Sequence, residues 1–392
     1  MVRVVLYVLV ALLGLAVVGY FTVAAPIADA RYNRVRAEPP YDASARAEAL
    51  HDTLMVADLH NDLLLWPRNP LQRYDRGHSD VPRLREGGVG LQVFAAVTQV
   101  PWGQSYQGTA AGSDQIPYLV AAERWPLRTW TSRLARARYQ ARKLRRAVGR
   151  GEGLMLLRTQ ADLDTLLAGR EENPNAMGTL LAVEGLHALE GTVANVDTLV
   201  ADGYRMMSLT HLFDNALGGS STGIEKGGLT DFGEAVLERL KKNDVTIDLA
   251  HASEALIDDV LARTSEPVVV SHTGVDATCP SPRNLSDRHV RAIAKQDGVI
   301  GIGLWEKAVC GPTAAATAEA MAHVADLVGA KHVALGTDYD GTVLAPFEAG
   351  GLPLLTEALL EEGFTPREVE QIMGGNVARV LRRTLPSAEE NE

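Results

Sequence analysis

A histidine and an aspartate stand two residues apart at the end of an apolar run, a spacing that can bind a metal. His60 and Asp62 belong to the stretch 58–62. Side chains two positions apart in a strand point to the same side, so both would face one opening. An imidazole nitrogen and a carboxylate oxygen are suitable ligands for zinc. A single pair of this kind is weak evidence, and its meaning depends on the rest of the chain.

Further histidines and acids follow later apolar runs in the same way. These residues are Glu184, His211, His251, His272 and Asp338. Three consecutive predicted strands end in histidine, and core packing explains this poorly because each buried imidazole would need its own polar partner. With His60 and Asp62 the set contains four histidines and three acids, more than one metal ion requires. We therefore predict a two-metal site with one bridging carboxylate, which can hold a hydroxide and polarise a carbonyl.

The elements that must position these residues are short apolar runs that alternate with helical stretches. We predict eight strands, over Met55–His60, Val89–Val97, Thr179–Val183, Arg205–Leu209, Val245–Leu249, Val268–Val270, Val299–Leu304 and His332–Leu335. This alternation is typical of parallel βα units, and eight parallel strands can close into a barrel. Barrel enzymes have their sites at the carboxyl ends of the strands, where these histidines and acids lie. The expected fold is an α/β, (β/α)8 TIM-type barrel with a helical insertion.

The sequence resembles the membrane (renal-type) dipeptidases, binuclear zinc peptidases of the amidohydrolase superfamily. The resemblance extends from about Thr53 to Arg382. Its motifs are His60-Asn61-Asp62, the run 79–90, Glu184-Gly185 with His187, Leu209-Thr210-His211, the run 248–251, Ser271-His272, Pro282-Arg283-Asn284-Leu285, the run 336–341 and Gly374-Gly375-Asn376. The resemblance implies an enzyme that hydrolyses dipeptides, L-Xaa-L-Xaa or L-Xaa-D-Xaa, with a hydroxide held between two Zn²⁺ ions per chain.

The family pattern also implies which residues would bind the metals. His60 and Asp62 would bind one zinc ion, and His251 and His272 would bind the other. Glu184 would bridge both ions. The dipeptide substrate would then lie against the two ions at the mouth of the barrel.

Three further residues would act on the substrate, according to the same resemblance. His211 would donate a hydrogen bond to the scissile carbonyl oxygen as negative charge develops there. Arg283 would bind the free carboxylate of the dipeptide, since a planar guanidinium can donate two parallel hydrogen bonds. Asp338 would contact the bridging water and carry its proton to the departing amine. Asp340 shares a face with Asp338, so the choice between these two acids rests on the resemblance.

The sequence departs from the family pattern in two places. The second glycine after the glutamate is Leu186 here, and residues 100–175 match poorly. We expect the poorly matching part to form an insertion near the substrate entrance. His187 stands beside the glutamate, and we expect it behind the ligands because the ligand positions are already filled. An arginine-rich stretch over 124–150 could touch anionic lipid, but we favour the solvated face of an inserted helix.

Composition and charge limit the other functions. The chain has 392 residues, of which 46% are apolar, enough for a sizeable core. Its net charge of −11 argues against nucleic acid as a partner, because phosphate binding needs a basic surface. Cys279 and Cys310 could form one disulfide bond or remain free thiols. The sequence does not determine the oligomeric state, for which a homodimer is one candidate.

The N-terminal region predicts a membrane segment. From Val4 to Ala25 the sequence has 22 residues without a charge, enough for a helix to cross a bilayer core of about 30 Å. We favour an uncleaved anchor over a signal peptide cut near Ala24-Ala25 or Ala28-Asp29-Ala30, and over a buried core helix. The catalytic domain would then lie outside the cytoplasm, periplasmic or extracellular, and would be secreted if the segment is cleaved.

The expected organisation is an anchor or signal over 1–25, a linker over 26–50, the barrel over 51–385 and a polar tail over 386–392. Two other functions remain open for the barrel. A related amidohydrolase would act on a lactam, lactone or N-acyl amino acid that carries a carboxylate, through the same metals. A binding protein without catalysis is disfavoured, because every expected ligand and the candidate base are present.

Overall fold

The computed structural model describes residues 2–387, whose strands lie mostly in one closed parallel barrel. The strands of the described residues are β1 (Arg34–Val35), β2 (Val56–Asp58), β3 (Val89–Val97), β4 (Leu154–Leu156), β5 (Met177–Glu184), β6 (Tyr204–Ser208), β7 (Thr246–Asp248), β8 (Val269–Thr273), β9 (Val299–Ile302), β10 (Val333–Leu335) and β11 (Leu344–Ala345). Eight of them, β2, β3 and β5 to β10, form the ring, which closes where β10 pairs with β2. The predicted TIM-type barrel and its eight strands are confirmed.

Three observed strands, β1, β4 and β11, lie outside the prediction. β4 pairs with the first residues of β5, while β6 pairs with β5 further along. β1 pairs in parallel with β11 in a separate two-stranded sheet. β4 has only three residues, all of them half-buried, so its apolar pattern is weak. The ring strands β3 and β5, by contrast, are buried along their whole length, as parallel strands covered on both faces should be.

Helices surround the barrel and fill the connections between its strands. The α-helices of the described residues are α1 (Val2–Gly19), α2 (Ala25–Tyr32), α3 (Ala45–His51), α4 (Val81–Glu86), α5 (Ile116–Ala122), α6 (Arg133–Val148), α7 (Gln160–Glu172), α8 (Asn195–Ala201), α9 (Asp231–Lys242), α10 (Glu254–Leu261), α11 (Asp287–Lys295), α12 (Glu306–Val309), α13 (Ala314–Val328), α14 (Pro353–Glu361), α15 (Pro366–Glu370) and α16 (Asn376–Thr384). Short 3₁₀ turns cover Leu63–Leu65, Leu127–Trp130, Leu186–Leu189, Ala330–His332 and Ala349–Gly351, and π-helical turns cover Tyr20–Ala24 and Gln371–Gly375.

Side chains at the helix starts explain where several of these helices begin. Thr159 accepts a hydrogen bond from the backbone nitrogen of Asp162, and the Asp162 carboxylate accepts one from the backbone nitrogen of Thr159. Thr365 and Glu368 form the same reciprocal pair at the start of α15. Such pairs satisfy N–H groups that the first turn of a helix leaves free. Local sequence therefore determines where these helices start.

The arginine-rich helix α6 belongs to the expected insertion between β3 and β5. Arg136 is buried, and its Nη1 donates to the backbone oxygen of Thr98 at 2.6 Å. Arg138 pairs with Asp202 at 2.7 Å. Lys143 is also turned inward, since its Nζ donates to the backbone oxygen of Leu64 at 3.2 Å. Several basic side chains of this helix therefore hold the insertion on the barrel.

The N-terminal segment is one long helix whose first part touches little of the protein. It extends over 31 residues from Val2 to Tyr32, and its most apolar window has a mean hydropathy of 2.6 with none of its residues buried. By length and composition it can cross a membrane, and a signal sequence would have the same properties. The structure therefore agrees with a membrane anchor and with a signal peptide alike.

The stretch that we expected as a linker is partly ordered against the barrel. Residues 25–32 form α2 and 34–35 form β1, and the side chains of Asp29 and Asn33 are buried. The polar composition suggested a solvent-exposed linker. In the structure, however, Asp29 pairs with buried Arg68 of the barrel. Of the expected polar tail, residues 388–392 lie outside the described residues.

Cys279 and Cys310 form a disulfide bond, with their Cα atoms 5.3 Å apart. The bond joins the loop after β8 to the residue that directly follows α12. Of the two states that the sequence left open for these cysteines, the structure has the bridged one. The bond fixes two loops on the side of the barrel that carries the site residues.

Candidate metal centre and substrate site

The predicted metal-binding and substrate-binding side chains converge at the carboxyl ends of the barrel strands. A cavity of about 480 Å³ opens there. Its lining includes Asp62, Glu184, His211, His251, His272, Arg283 and Asp338. His60 is 1% exposed and contacts this group from the end of β2. The structure thus brings together all eight residues that the sequence singled out.

Glu184 lies at the centre of the histidines. Its Oε1 is 3.0 Å from His251 Nε2, 3.4 Å from His60 Nε2 and 3.5 Å from His272 Nε2. Its Oε2 is 3.3 Å from His211 Nε2. One carboxylate thus faces four imidazole nitrogens, so it lies within reach of any cation that these histidines bind.

Two further close pairs lie next to Glu184. His60 Nε2 lies 3.5 Å from Asp62 Oδ1, and His251 Nε2 lies 2.9 Å from His272 Nε2. Among the described residues, three overlapping groups have ligand atoms within 4.8 Å of one another: His60, Asp62 and Glu184; Glu184, His211 and His251; and His60, His272 and Asp338. Each of these groups offers enough donor atoms for a cation.

Burial makes this set of side chains costly without a cation. Burial is the main cause that raises the pKa of the Asp62 and Glu184 carboxyls well above their usual range. Burial likewise lowers the pKa of His251 and His272 well below its usual range, so these imidazoles are neutral and free to act as ligands. A divalent cation bound here would offset the cost of charging the carboxylates.

Two buried polar atoms without hydrogen-bond partners also indicate a metal-binding site. His60 Nε2 and Asp62 Oδ1 are buried and have no hydrogen-bond partner within residues 2–387. Buried polar atoms are normally paired, and each exception calls for an explanation. Both atoms point into the group of candidate ligands, where a metal ion would satisfy them. The donor set of imidazole and carboxylate suits zinc.

Two buried carboxylates, of Asp248 and Asp58, form hydrogen bonds with residues next to the candidate ligands. The Asp248 carboxylate accepts a hydrogen bond from Ser271 Oγ at 2.7 Å, and Ser271 Oγ lies 3.0 Å from His272 Nδ1. This contact leaves His272 Nε2 turned toward Glu184. The Asp58 carboxylate accepts hydrogen bonds from the backbone and side chain of Thr337, both at 2.8 Å. Sequence reasoning gave neither acid a role, although a carboxylate inside an apolar strand was a usable signal.

The backbone is left-handed at two of the site residues. The φ angle is 64° at His251 and 58° at Asp338. Such angles are uncommon outside glycine and persist only where the surroundings impose them. Each residue lies three positions after a ring strand, where His251 contacts Glu184 and Asp338 contacts His60. Strain at these two positions fits a functional site.

The two candidate acids after β10 have different surroundings. Asp340 is fully buried, accepts a hydrogen bond from Ser79 Oγ at 2.6 Å and pairs with Arg68 Nη2 at 2.6 Å. Asp338 Oδ1 instead lies 4.0 Å from His60 Nε2 and belongs to a compact group with His60 and His272. Asp340 therefore holds the loop in place, while Asp338 faces the metal ligands.

The pKa values of Asp338 and Asp340 are shifted in opposite directions. Burial raises the pKa of Asp340, but Arg68, His78 and Ser79 outweigh it, and the net shift is downward. Burial raises the pKa of Asp338, and its neighbours leave the net shift upward. A carboxyl group with a raised pKa is better suited to accept and return a proton at neutral pH.

Arg283 lies at the wall of the cavity and is 5% exposed. Its Nη2 donates to the backbone oxygen of His272 at 2.9 Å, which fixes one edge of the guanidinium. Burial lowers its pKa, and Tyr106 and Asp338 counteract part of that shift. Tyr106 comes from the poorly matching stretch 100–175, and its hydroxyl accepts from Trp305 Nε1 at 3.4 Å. Sequence reasoning missed Tyr106 and Trp305, which also line the cavity.

His187 is buried beside the cluster but outside the candidate metal groups of the described residues. Its Nε2 lies 2.9 Å from Thr98 Oγ1, and burial lowers its pKa to about 3. Gly185 has a φ of 86°, and a side chain there would collide with the His187 ring. Leu186, where the family has a second glycine, is buried in the core without a positive φ. This loop accommodates the departure from the family pattern.

A second and larger cavity, of about 860 Å³, lies along α10 and α11. It shares only His251 and Arg283 with the cluster of site residues. Its other lining residues include Glu254 and Asp258, both of which pair with Arg288. Seven of the eight candidate site residues line the smaller cavity, which is therefore the candidate substrate site.

Comparison with known proteins agrees with this geometry. The family described as membrane dipeptidase (peptidase family M19) matches residues 44–392. Dipeptidase aclJ of Aspergillus oryzae is 28% identical over 347 residues, which cover 83% of this chain and 77% of the relative. Dipeptidase 3 of Homo sapiens is 27% identical over 374 residues, covering 89% of this chain and 69% of the relative.

A solved structure has the same fold. A metallo peptidase from Rhodobacter sphaeroides, liganded with a phosphinate mimic of the dipeptide L-Ala-D-Ala, superposes with a TM-score of 0.66. The two sequences are 23% identical, and the match covers 85% of this chain and 99% of that chain. The family match extends over most of the chain and over every candidate ligand. The chain belongs to the membrane dipeptidase family of metallopeptidases, peptidase family M19, and is a hydrolase of the dipeptidase class.

Proposed function

We propose that this protein hydrolyses dipeptides with two zinc ions held at the mouth of the barrel. The observation that carries the proposal is Glu184, whose two oxygens lie within 3.5 Å of four histidine nitrogens. Family membership and the donor set of imidazole and carboxylate support zinc.

In this proposal, five side chains hold the two ions. His60 and Asp62 bind one ion, His251 and His272 bind the other, and Glu184 bridges them. Two zinc ions in such a site would acidify a water molecule and polarise the scissile carbonyl. Asp248, through Ser271, orients the imidazole of His272. Two ions, rather than one, are supported because Glu184 belongs to two candidate cation groups, one with His60 and Asp62 and one with His211 and His251.

Three residues of the chain would act on the dipeptide itself. Arg283 binds the terminal carboxylate, because its guanidinium lines the cavity beside the candidate ligands. His211 donates from an imidazole nitrogen to the carbonyl oxygen of the bond that is cleaved. Asp338 accepts the proton of the attacking water and gives it to the leaving amine. The contact of His211 with Glu184 also makes it a candidate ligand, which zinc counting on a His211→Ala variant would reveal.

We propose that the second residue of the dipeptide can have either configuration. Arg283 and the metal centre would fix the carboxylate and the carbonyl on either side of its α-carbon, so inversion would exchange only hydrogen and side chain. The related Rhodobacter sphaeroides peptidase is liganded with a mimic of L-Ala-D-Ala, which supports the same expectation. The first residue differs, since inversion would displace its amine, and about 1 Å of misplacement costs on the order of 100-fold in rate.

One experiment tests the enzyme assignment. Purified protein should contain two zinc ions per chain and release both free amino acids from L-Ala-L-Ala and L-Ala-D-Ala, with kcat/KM values within about tenfold of each other. D-Ala-L-Ala should be a poor substrate. Glu184→Ala and His251→Ala should lose both metal and activity. A Glu184→Ala variant with full zinc content and normal turnover would refute the proposal, and N-acyl amino acid or lactam hydrolysis without dipeptide hydrolysis would favour the related amidohydrolase.

We also propose that α1 anchors the protein in a membrane, with the barrel outside the cytoplasm. The exposed apolar helix supports the anchor. The disulfide bond between Cys279 and Cys310 supports an oxidising compartment, since such bonds are rare in the cytosol. Full-length protein should fractionate with membranes, and protease added outside intact cells or spheroplasts should reach the barrel. Recovery of native full-length protein in the soluble cytosolic fraction would contradict this localisation.

A further inference from the structure

Exposed apolar side chains are concentrated in one part of the barrel surface. Beyond the N-terminal helix, the described part of the chain exposes five large hydrophobic side chains, Trp102, Tyr118, Leu127, Trp130 and Ile224. Four of these five lie between residues 102 and 130, which include α5 and the turn after it. Single exposed apolar residues are normal on a soluble protein, but a concentration in one segment indicates an interaction surface.

The same segment contacts the residues that follow α1. The Tyr20 hydroxyl donates to the backbone oxygen of Tyr118 at 2.5 Å. Arg124 Nη2 donates to the backbone oxygen of Phe21 at 3.0 Å. The rings of Trp102 and Tyr118 lie 6.1 Å apart, edge to face. The exposed segment is therefore next to the end of the apolar helix.

The length of the helix puts this contact at a membrane boundary. A helix of 31 residues is about 46 Å long, which exceeds a bilayer core of about 30 Å. About 20 residues suffice to cross that core, so the boundary falls near Tyr20 and Phe21. Aromatic residues are enriched at this depth. The rest of the helix, α2, is held on the barrel, where Asp29 is fully buried.

The exposed side chains have the chemistry that a membrane interface favours. Trp and Tyr combine an apolar ring with a polar tip, which suits the region between acyl chains and water. Arg124 and Arg128 are exposed in the same segment and can attract anionic headgroups, although the whole chain has a net charge of −11. Apolar rings, an exposed leucine and local positive charge thus occur together beside the end of α1.

We propose that these residues form a membrane-facing surface that lies in the headgroup region of the bilayer crossed by α1. The membrane-facing surface consists of Trp102, Tyr118, Arg124, Leu127, Arg128 and Trp130. The inference rests on the proposed anchoring of α1 and adds a second contact between protein and lipid. The cavity that holds the candidate metal site is lined by Tyr32 of α2 and by Gln104 and Gln115. The substrate entrance therefore lies on the side of the barrel that carries α2, about 18 Å along the helix from the proposed boundary at Tyr20.

The tryptophans of the chain provide the probe. Trp66, Trp125 and Trp305 are at most 4% exposed, whereas Trp102 is 57% and Trp130 is 36% exposed. The described part of α1 contains no tryptophan, so its insertion alone adds no signal. Full-length protein is reconstituted in vesicles of phosphatidylcholine and phosphatidylglycerol, with bromine either absent or placed on the acyl chains near the headgroup. We expect bromine to quench part of the tryptophan emission.

Variants assign the quenching to the surface. The double variant Trp102→Phe, Trp130→Phe should lose the bromine-dependent quenching. Adding Glu171→Trp to this double variant supplies a matched control, because Glu171 is exposed near the end of α7, before β5 and thus at the opposite end of the barrel from the cavity. The control should show emission without bromine-dependent quenching. Leu127→Asp in the otherwise native chain should reduce the quenching of Trp102 and Trp130.

The outcomes separate this inference from the proposals beneath it. Protein that floats with the vesicles but emits equally with and without bromine overturns the membrane-facing surface and leaves the anchor standing. Quenching that the double variant retains also overturns it, because the signal would then come from buried tryptophans. Protein that does not float overturns both the surface and the anchor. Dipeptide hydrolysis by the same vesicles, measured in parallel, tests the enzyme assignment independently.

Discussion

Asp29 joins the N-terminal helix to the acids behind the metal site, and its removal should measurably destabilise the barrel. Its Oδ2 lies 2.9 Å from Arg68 Nε, and both side chains are completely buried. Arg68 also pairs with Asp340 at 2.6 Å and donates to the backbone oxygen of Ser79 at 2.6 Å. Asp29→Ala would leave this guanidinium buried with one anion instead of two.

The size of the effect follows from these contacts. Removing one partner of a buried ion pair costs about 3–5 kcal/mol. Burial raises the pKa of Asp29 even though Arg68 counteracts it, so desolvation already offsets part of the attraction. Arg68 also keeps Asp340 and Ser79 as partners. We therefore expect a loss near the lower limit, about 3 kcal/mol, which for a barrel of this length lowers the melting temperature by about 4 °C.

Thermal unfolding of the full-length protein in detergent, followed by near-UV circular dichroism, measures this loss. Asp75→Asn is the matched control, since Asp75 lies in the same region with its side chain 95% exposed, and its melting temperature should not change. Removal of residues 1–24 should leave the melting temperature nearly unchanged, because Asp29 remains. Removal of residues 1–30 should lower it as Asp29→Ala does. Equal melting temperatures for Asp29→Ala and the native chain would refute the reasoning.

Three further changes test individual residues of the site. Asp338→Asn should retain both metals but lower kcat by at least about 100-fold, whereas Asp340→Asn should mainly lower the melting temperature; the reverse pattern would mean that Asp340 carries the proton. Ser271→Ala removes the partner of His272 Nδ1 and should weaken zinc binding about 10- to 100-fold in a chelator competition, and unchanged affinity would contradict this contact. Arg283→Ala should lower kcat/KM for L-Ala-L-Ala far more than for its C-terminal amide, and equal losses would show that Arg283 does not bind the carboxylate.

The sequence predicts the ring of strands well because those strands are buried on both faces. Continuous apolar runs mark β3 and β5 clearly, whereas β4 has three half-buried residues and gives little signal. The predicted strand ends are less accurate. His60 and Asp62 lie beyond β2, which ends at Asp58, where the carboxylate accepts a hydrogen bond from Thr337, just after the neighbouring strand β10. That contact joins residues far apart in the chain, so no local sequence pattern predicts it.

The candidate ligands could be predicted because each one directly follows an apolar run of the ring. The residues that support the site could not be predicted in the same way. Tyr106 reaches the cavity from an insertion whose path depends on packing, and its neighbour there is Trp305. Asp29 and Arg68 lie in stretches whose sequence resembles polar loops. Only the fold shows that the two side chains form a buried ion pair.

The most direct test of the two-zinc proposal is a crystal of the zinc-loaded protein, with anomalous scattering measured above and below the zinc absorption edge. We expect two peaks of similar height about 3.5–4 Å apart, one on either side of the Glu184 carboxylate. One peak should lie beside His60 and Asp62, and the other beside His251 and His272. A single peak, or two peaks that do not share Glu184, would contradict the proposed metal centre.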